Sequence, residues 1–381
     1  MQGLTFICAI HNNHRGMTQR SEDHAPMDDI GSDRPVGYRY PRRPTIALIR
    51  ELSVVPDWRN AALLFSHWLV IVAAIFIAIR VDHIAVYLLA GVVIGSRIQW
   101  LAVMMHEACH RMLFSNRRIN DLIGDLFVSY PLGLSVDLYR VAHMVHHRHT
   151  NTMRDYDYRA QRKDRDQHFP KNPRAMGWLF VRSLFGLNYY RVARAGRIWA
   201  PIANFHNPRR FGFDYRLSLR LRYVAWAVLV YGAILWSPWR WQILGLILIP
   251  QFIWLNIFNR IRAMAEHNGV ADEQELNGTR TVIPTLLDRF LIAPLHVSYH
   301  LEHHLFPSVP GHNLLRLHRH LMADPAYAAD AHITRGYWGV IRELTERSPS
   351  IPHGHASRAD VKSKPKSGSE GAGSKSRVRD Q

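Results

Sequence analysis

The chain has 381 residues, 48% of them hydrophobic, which excludes a wholly disordered polymer. Its two cysteines, Cys8 and Cys109, exclude a disulfide scaffold and any site built on four thiolates. The formal charge of +18 would suit a nucleic-acid binder. However, residues 111–222 carry 21 basic against 8 acidic side chains, so the surplus is concentrated in one stretch between apolar regions. That is the pattern of a charged loop flanking a membrane, and no nucleic-acid motif accompanies it.

Residues 1–44 are polar and rich in turn formers, and are expected to be disordered. Leu4–Ile10 is too short to span a bilayer and lacks the basic leader and cleavage pattern of a signal peptide; Met17 and Met27 are alternative starts. Ile46–Leu64 mixes apolar residues with Arg50, Glu51, Asp57 and Arg59, as an interfacial approach helix does.

Four apolar runs follow, expected to span the bilayer at about 61–79, 84–105, 220–236 and 241–258. The joins Arg80–His83 and Ser237–Arg240 are so short that the runs pair as two hairpins. Buried core helices of a soluble protein are the plain alternative, but they rarely come as two such pairs. Hairpins place both joins on one face, with Arg80 and Arg240 as its only cations. The positive-inside rule then makes the opposite face, with both termini, cytoplasmic. Arg97, inside the second run, is expected to snorkel to the edge; marking a polar substrate path is its other reading. Residues 45–347 are read as one membrane domain and 348–381, rich in Ser, Gly, Lys and Pro, as a disordered basic tail.

Three histidine clusters lie on the cytoplasmic face. His106 and His110 are spaced i, i+4; His143, His146 and His147 are spaced i, i+3, i+4, and so are His300, His303 and His304. Each spacing puts its imidazoles on one helix face. His267 follows the fourth run, beside Glu266. Neutral imidazole suits Fe, Zn, Cu and Ni, and eight or nine imidazoles are too many for one tetrahedral ion, so two metals are the simpler count. His106-Glu107-Ala108-Cys109-His110 also fits a zinc hydrolase motif with Glu107 as general base, which leaves the other clusters unexplained. A metal transporter would hold its ligands near mid-membrane rather than beyond the spans.

These three boxes resemble those of the membrane fatty acid desaturase superfamily, which includes hydrocarbon monooxygenases and carotenoid hydroxylases. The runs His147-Arg148-His149-Thr150-Asn151-Thr152 and His303-His304-Leu305-Phe306-Pro307 are similar to its second and third boxes, and Glu266-His267-Asn268-Gly269 to the segment that supplies a further ligand. The resemblance implies an all-α integral membrane protein, its four transmembrane helices capped by cytoplasmic helices that carry the boxes. It implies two iron ions held by His106, His110, His143, His146, His147, His267, His300, His303 and His304. His149 and His296 would be auxiliary, and Glu107, Glu266, Glu302, Asp155 and Asp157 are candidates to orient the ligands. The implied reaction is O2-dependent desaturation of a free or lipid-linked fatty acyl chain taken from the bilayer; hydroxylation of a hydrocarbon, lipid or carotenoid is the alternative. Electrons would come from a separate ferredoxin, rubredoxin or cytochrome b5 type protein, since no such module is present. The basic loop would meet anionic headgroups of membrane lipids or an acidic carrier.

Overall fold

The computed structural model describes residues 44–187, 217–270 and 278–345. The expected tail, 348–381, and all but Pro44 of the expected amino-terminal segment lie outside the described residues, as does 188–216 of the basic loop.

The described residues are mostly helical, and four helices are long and apolar enough to cross a membrane. Asp57–Val81 has 25 residues, Ile84–Cys109 has 26, Leu217–Trp236 has 20 and Arg240–His267 has 28. At 1.5 Å per residue each reaches at least the roughly 30 Å of a hydrocarbon core. The first helix ends where Asp82 turns left-handed at φ 49°, and the second begins where the His83 ring accepts from Ala85 N at 3.2 Å. Two residues therefore reverse the chain.

Ile84–Cys109 is the hub, with 61% of its apolar window buried, against 22%, 11% and 12% for the other three. It packs along both Asp57–Val81 and Arg240–His267. Gly95 permits the closest approach, since a Cβ there would lie 2.5 Å from the Trp254 ring. Outward faces carry exposed Leu69, Leu88, Val228 and Leu229. An apolar belt of this extent requires lipid cover.

Three features depart from the sequence reading. The approach helix is broken: Ile46–Leu52, capped by the Thr45 hydroxyl, ends at Ser53, and Pro56 precedes the first long helix. Leu52 is buried in a core with Leu301, Leu305 and Leu317, so this short helix packs on the polar side of the molecule. The second and fourth long helices run on to Cys109 and His267, past their expected ends. A two-stranded parallel sheet, β1 (Thr281–Ile283) with β2 (Ile333–Arg335), interrupts the all-helical architecture.

Two buried guanidinium groups close the helices that carry His106 and His267. Arg140 donates to the Cys109 and Ala108 carbonyls at 2.8 and 2.9 Å and pairs with Asp121 and Asp137. Arg280, fully buried, donates to the Ala265 carbonyl at 2.9 Å and pairs with Glu343 at 3.2 Å. A cation on the last carbonyls satisfies orphan acceptors and suits the negative end of the helix dipole. Both caps lie within three residues of a histidine, so they fix where those rings project.

Candidate metal centre

Four segments bring the nine histidines together. His106 lies on the last turn of Ile84–Cys109, and His110 caps it. His143, His146 and His147 sit on Val136–His149, His267 ends the fourth long helix, and the third cluster lies on His300–Leu305.

They form two groups, His106, His110, His143, His147 and His303 in one, His146, His267, His300 and His304 in the other. Within each, one nitrogen of every ring lies within 4.8 Å of the rest, as ligands of a common ion must. His147 Nε2 is 3.1 Å from both His143 Nε2 and His303 Nε2. The His267 Nε2 is 3.1 Å from that of His146 and 2.9 Å from that of His300, which is 3.0 Å from His304 Nε2. The His106 and His110 rings stand 4.5 and 4.6 Å from the His303 ring.

Such packing needs neutral rings. Burial, with the neighbouring imidazoles, pushes His110, His143, His147, His300, His303 and His304 well below the usual histidine range. His146 is the exception. Burial lowers it too, but the hydrogen bond to Asp155 and the charges of Asp157 and Glu266 outweigh this and raise it. The His146 Nδ1 donates to Asp155 Oδ2 at 3.0 Å, leaving its Nε2 lone pair aimed inward. A neutral ring carries one N–H for its two nitrogens, so each ring also presents a lone pair that can face a ligand. Both nitrogens of His106 and the Nε2 of His110 are buried without a hydrogen-bond partner. Converging lone pairs without donors fit cations, and a five-plus-four division fits two of them.

Of the expected orienting groups, Asp155 is the one bonded to a histidine of the two groups. Asp157 Oδ2 stands 3.8 Å from His146 Nδ1, and Glu266 Oε2 4.0 Å from His300 Nε2. Glu107 Oε2 accepts from Gly311 N at 2.9 Å, which ties up the carboxylate that a zinc hydrolase would use as base. Glu302 departs from expectation: it accepts from Thr281 at 2.5 Å and pairs with His318 at 2.6 Å, on the face away from the nine. His149 and His296 lie outside both groups.

A cavity of about 100 Å³ adjoins both groups, touching His106 and His143 of one and His146, His267 and His300 of the other. Leu132, Leu134 and Met105 form an apolar wall; Asp157, Gln161, Asn259, Arg262 and Glu266 form a polar one. The Tyr139 ring, which also lines it, stacks on His143 at 5.2 Å. The sequence reading missed Tyr139, Gln161, Asn259 and Arg262. A signal existed for two of them: Asn259, Arg262 and Glu266 are spaced i, i+3, i+7, one helix face leading to His267.

The family model for fatty acid desaturases matches residues 82–336. Among curated proteins, a dihydrorhizobitoxine desaturase of Bradyrhizobium elkanii is 25% identical over 317 residues, covering 78% of this chain and 84% of that protein. A Delta(5) fatty acid desaturase of Caenorhabditis elegans is 25% identical over 303 residues, 71% of this chain and 66% of its own length. An sn-1 oleoyl-lipid 12-desaturase of Picosynechococcus is 22% identical over 270 residues, 66% of this chain and 73% of its own. With the match spanning three of the four long helices and every histidine of both groups, the chain belongs to the fatty acid desaturase family and is an oxidoreductase.

Proposed function

We propose that this chain catalyses O2-dependent desaturation at a pair of irons, the first held by His106, His110, His143, His147 and His303, the second by His146, His267, His300 and His304. The observation that carries the reading is the convergence of nine imidazoles into two adjacent groups that share one cavity. Two irons with dioxygen supply the oxidant needed for an unactivated C–H bond, which no acid, base or nucleophile of the chain can attack. In balance, –CH2–CH2– with O2, two electrons and two protons gives –CH=CH– and two waters. The electrons come from a separate carrier protein.

The chain's own residues do the rest. Asp155 holds the His146 ring so that its Nε2 faces inward. Arg140 and Arg280 fix the ends of the two long helices that deliver His106 and His267. Tyr139 and the apolar wall keep bulk water from the reacting carbons. The four long helices are read as two hairpins, residues 45–347 as one membrane domain, and the histidine face with both termini as cytoplasmic, on the charge asymmetry of the joins. An acyl chain entering from the bilayer is the substrate that the family's fatty acid and oleoyl-lipid relatives favour.

The test is extraction of cells with and without the gene, followed by mass analysis of lipids and small molecules. A product two hydrogens lighter than its precursor supports desaturation. A product one oxygen heavier contradicts it in favour of hydroxylation, and an unchanged profile in iron-replete, aerobic cells contradicts both.

A further inference from the structure

The polar wall of the cavity has hydrogen-bonding capacity that the protein does not use. Arg262 spends Nε and Nη2 on Glu266 Oε1, at 2.9 and 2.7 Å, while its Nη1 makes no hydrogen bond to the described residues. The side-chain amides of Asn259 and Gln161 line the same wall, and neither bonds a described residue through its nitrogen or oxygen. Asp157 Oδ1 is buried without a partner. A guanidinium, two amides and a carboxylate oxygen are thus left open within a space that also touches five of the nine imidazoles. Leaving the buried Asp157 Oδ1 unmet costs roughly 1–3 kcal/mol, and the guanidinium and amides beside it stand open to a ligand that would meet all four.

The size of the space sets the distance. At about 100 Å³ it lies below the 300–1,000 Å³ of ordinary ligand pockets. A group seated on Arg262 and a carbon facing the imidazoles are therefore only a few bonds apart. A run of methylenes would strip water from all four polar groups and return nothing to them.

We infer that the Arg262–Asn259–Gln161 wall seats the carboxylate of a short polar substrate, with Asp157 taking a hydrogen-bond donor from the same molecule, and that the carbons losing hydrogen lie a few bonds from that carboxylate. This rests on the proposed desaturation and, from the cavity's lining, replaces the bilayer acyl chain that the relatives favour with compact, carboxylate-bearing molecules. The apolar wall of Leu132, Leu134 and Met105 takes the short aliphatic part. The cation selects the carboxylate, while Asn259 and Gln161 fix its orientation.

The test uses the full-length, iron-loaded protein in detergent, with hexanoate, methyl hexanoate and 1-hexanol as probes and thermal-shift titration as readout. Hexanoate should stabilise the protein, and the ester and alcohol should bind at least tenfold more weakly. Arg262→Gln should weaken hexanoate at least tenfold and Arg262→Lys less; Arg97→Gln, outside the cavity, should leave it unchanged. If Arg262→Gln loses iron because Glu266 moves, Asn259→Leu decides, since it leaves the Arg262–Glu266 pair intact. Unchanged hexanoate affinity in Asn259→Leu, equal binding of ester and acid, or no binding of any probe (a cavity that holds water only) overturns the inference. Extracts of cells carrying the gene separate the two claims. A new unsaturated compound in the aqueous fraction supports both, and one confined to acyl lipids overturns the substrate class while leaving the desaturation intact. With no unsaturated product in either fraction, the desaturation reading fails, and the hexanoate titrations alone judge the wall.

Discussion

Asp155→Ala is the sharpest perturbation of the site that leaves every proposed ligand in place. Asp155 is 1% exposed and accepts from the His146 Nδ1 at 3.0 Å, which fixes both the tautomer and the direction of the Nε2 lone pair. Its other oxygen accepts from Asp157 N at 2.8 Å. Removal leaves a buried N–H unpaired and frees the ring to turn or to change tautomer. Loss of such a carboxylate typically costs 10–100-fold in metal affinity, about 1.4–2.7 kcal/mol. Because His146 belongs to the four-histidine group and not to the five-histidine one, the former should weaken while the latter keeps its ion. Titration of purified protein with a ferrous chelator, read by the colour of the released complex, should show one iron per chain leaving at 10–100-fold lower chelator than in the unmutated protein. Asp157→Asn, whose Oδ2 stands 3.8 Å from the same nitrogen, should shift release by less. Identical release curves for Asp155→Ala and the unmutated protein would refute the orienting role.

Further outcomes follow from other parts of the molecule. His303→Ala and His146→Ala, one from each group, should each abolish turnover while the protein remains in the membrane fraction; turnover in either excludes that ring as a ligand. In iron-free protein, the depressed histidines make folding proton-sensitive. As pH falls through 6.5, the unfolded chain takes up protons that buried His143, His147, His300, His303 and His304 refuse, so stability is lost on acidification. The loss is seen as a Tm that falls from pH 7.5 to 5.5, and a flat Tm over that window contradicts neutral burial. Glu302→Ala leaves buried Thr281 and His318 without their acceptor, and should cost roughly 3 kcal/mol in denaturant unfolding of the iron-free protein; a loss under about 0.5 kcal/mol contradicts the buried network. Gly95→Val would drive a side chain into the Trp254 ring, and should sharply lower the yield of monodisperse protein in size-exclusion chromatography; an unchanged profile contradicts the close approach of these helices.

The spans and the boxes were legible because both depend on local periodicity. A same-face spacing of i, i+3, i+4 needs no knowledge of the partner helices, and an apolar run advertises its own length. That the four segments share one centre came through resemblance and its two metals also through the count of imidazoles, while the division into groups of five and four appears only in the structure, since no spacing within one helix says which other helix it will meet. Adjacent carboxylates were misjudged for a related reason. Glu302 lies two residues from His300 and one from His303, so on a helix it points away from both, toward Thr281 and His318. Asp155 lies nine residues beyond His146 and reaches it because the chain turns at Asn151, where φ is 60°. The fourth run looked complete at Phe258 because Asn259, Arg260 and Arg262 follow. The helix continues to His267 nonetheless, those polar residues being enclosed by the histidine-bearing part of the protein rather than by lipid.

The central claim is that the two histidine groups each hold an iron. Elemental analysis of the full-length protein, purified from iron-replete cells without chelators, tests it directly. The account predicts close to two irons per chain, falling to about one in His304→Ala, which removes a ring from the four-histidine group alone. A single zinc with no iron would contradict it.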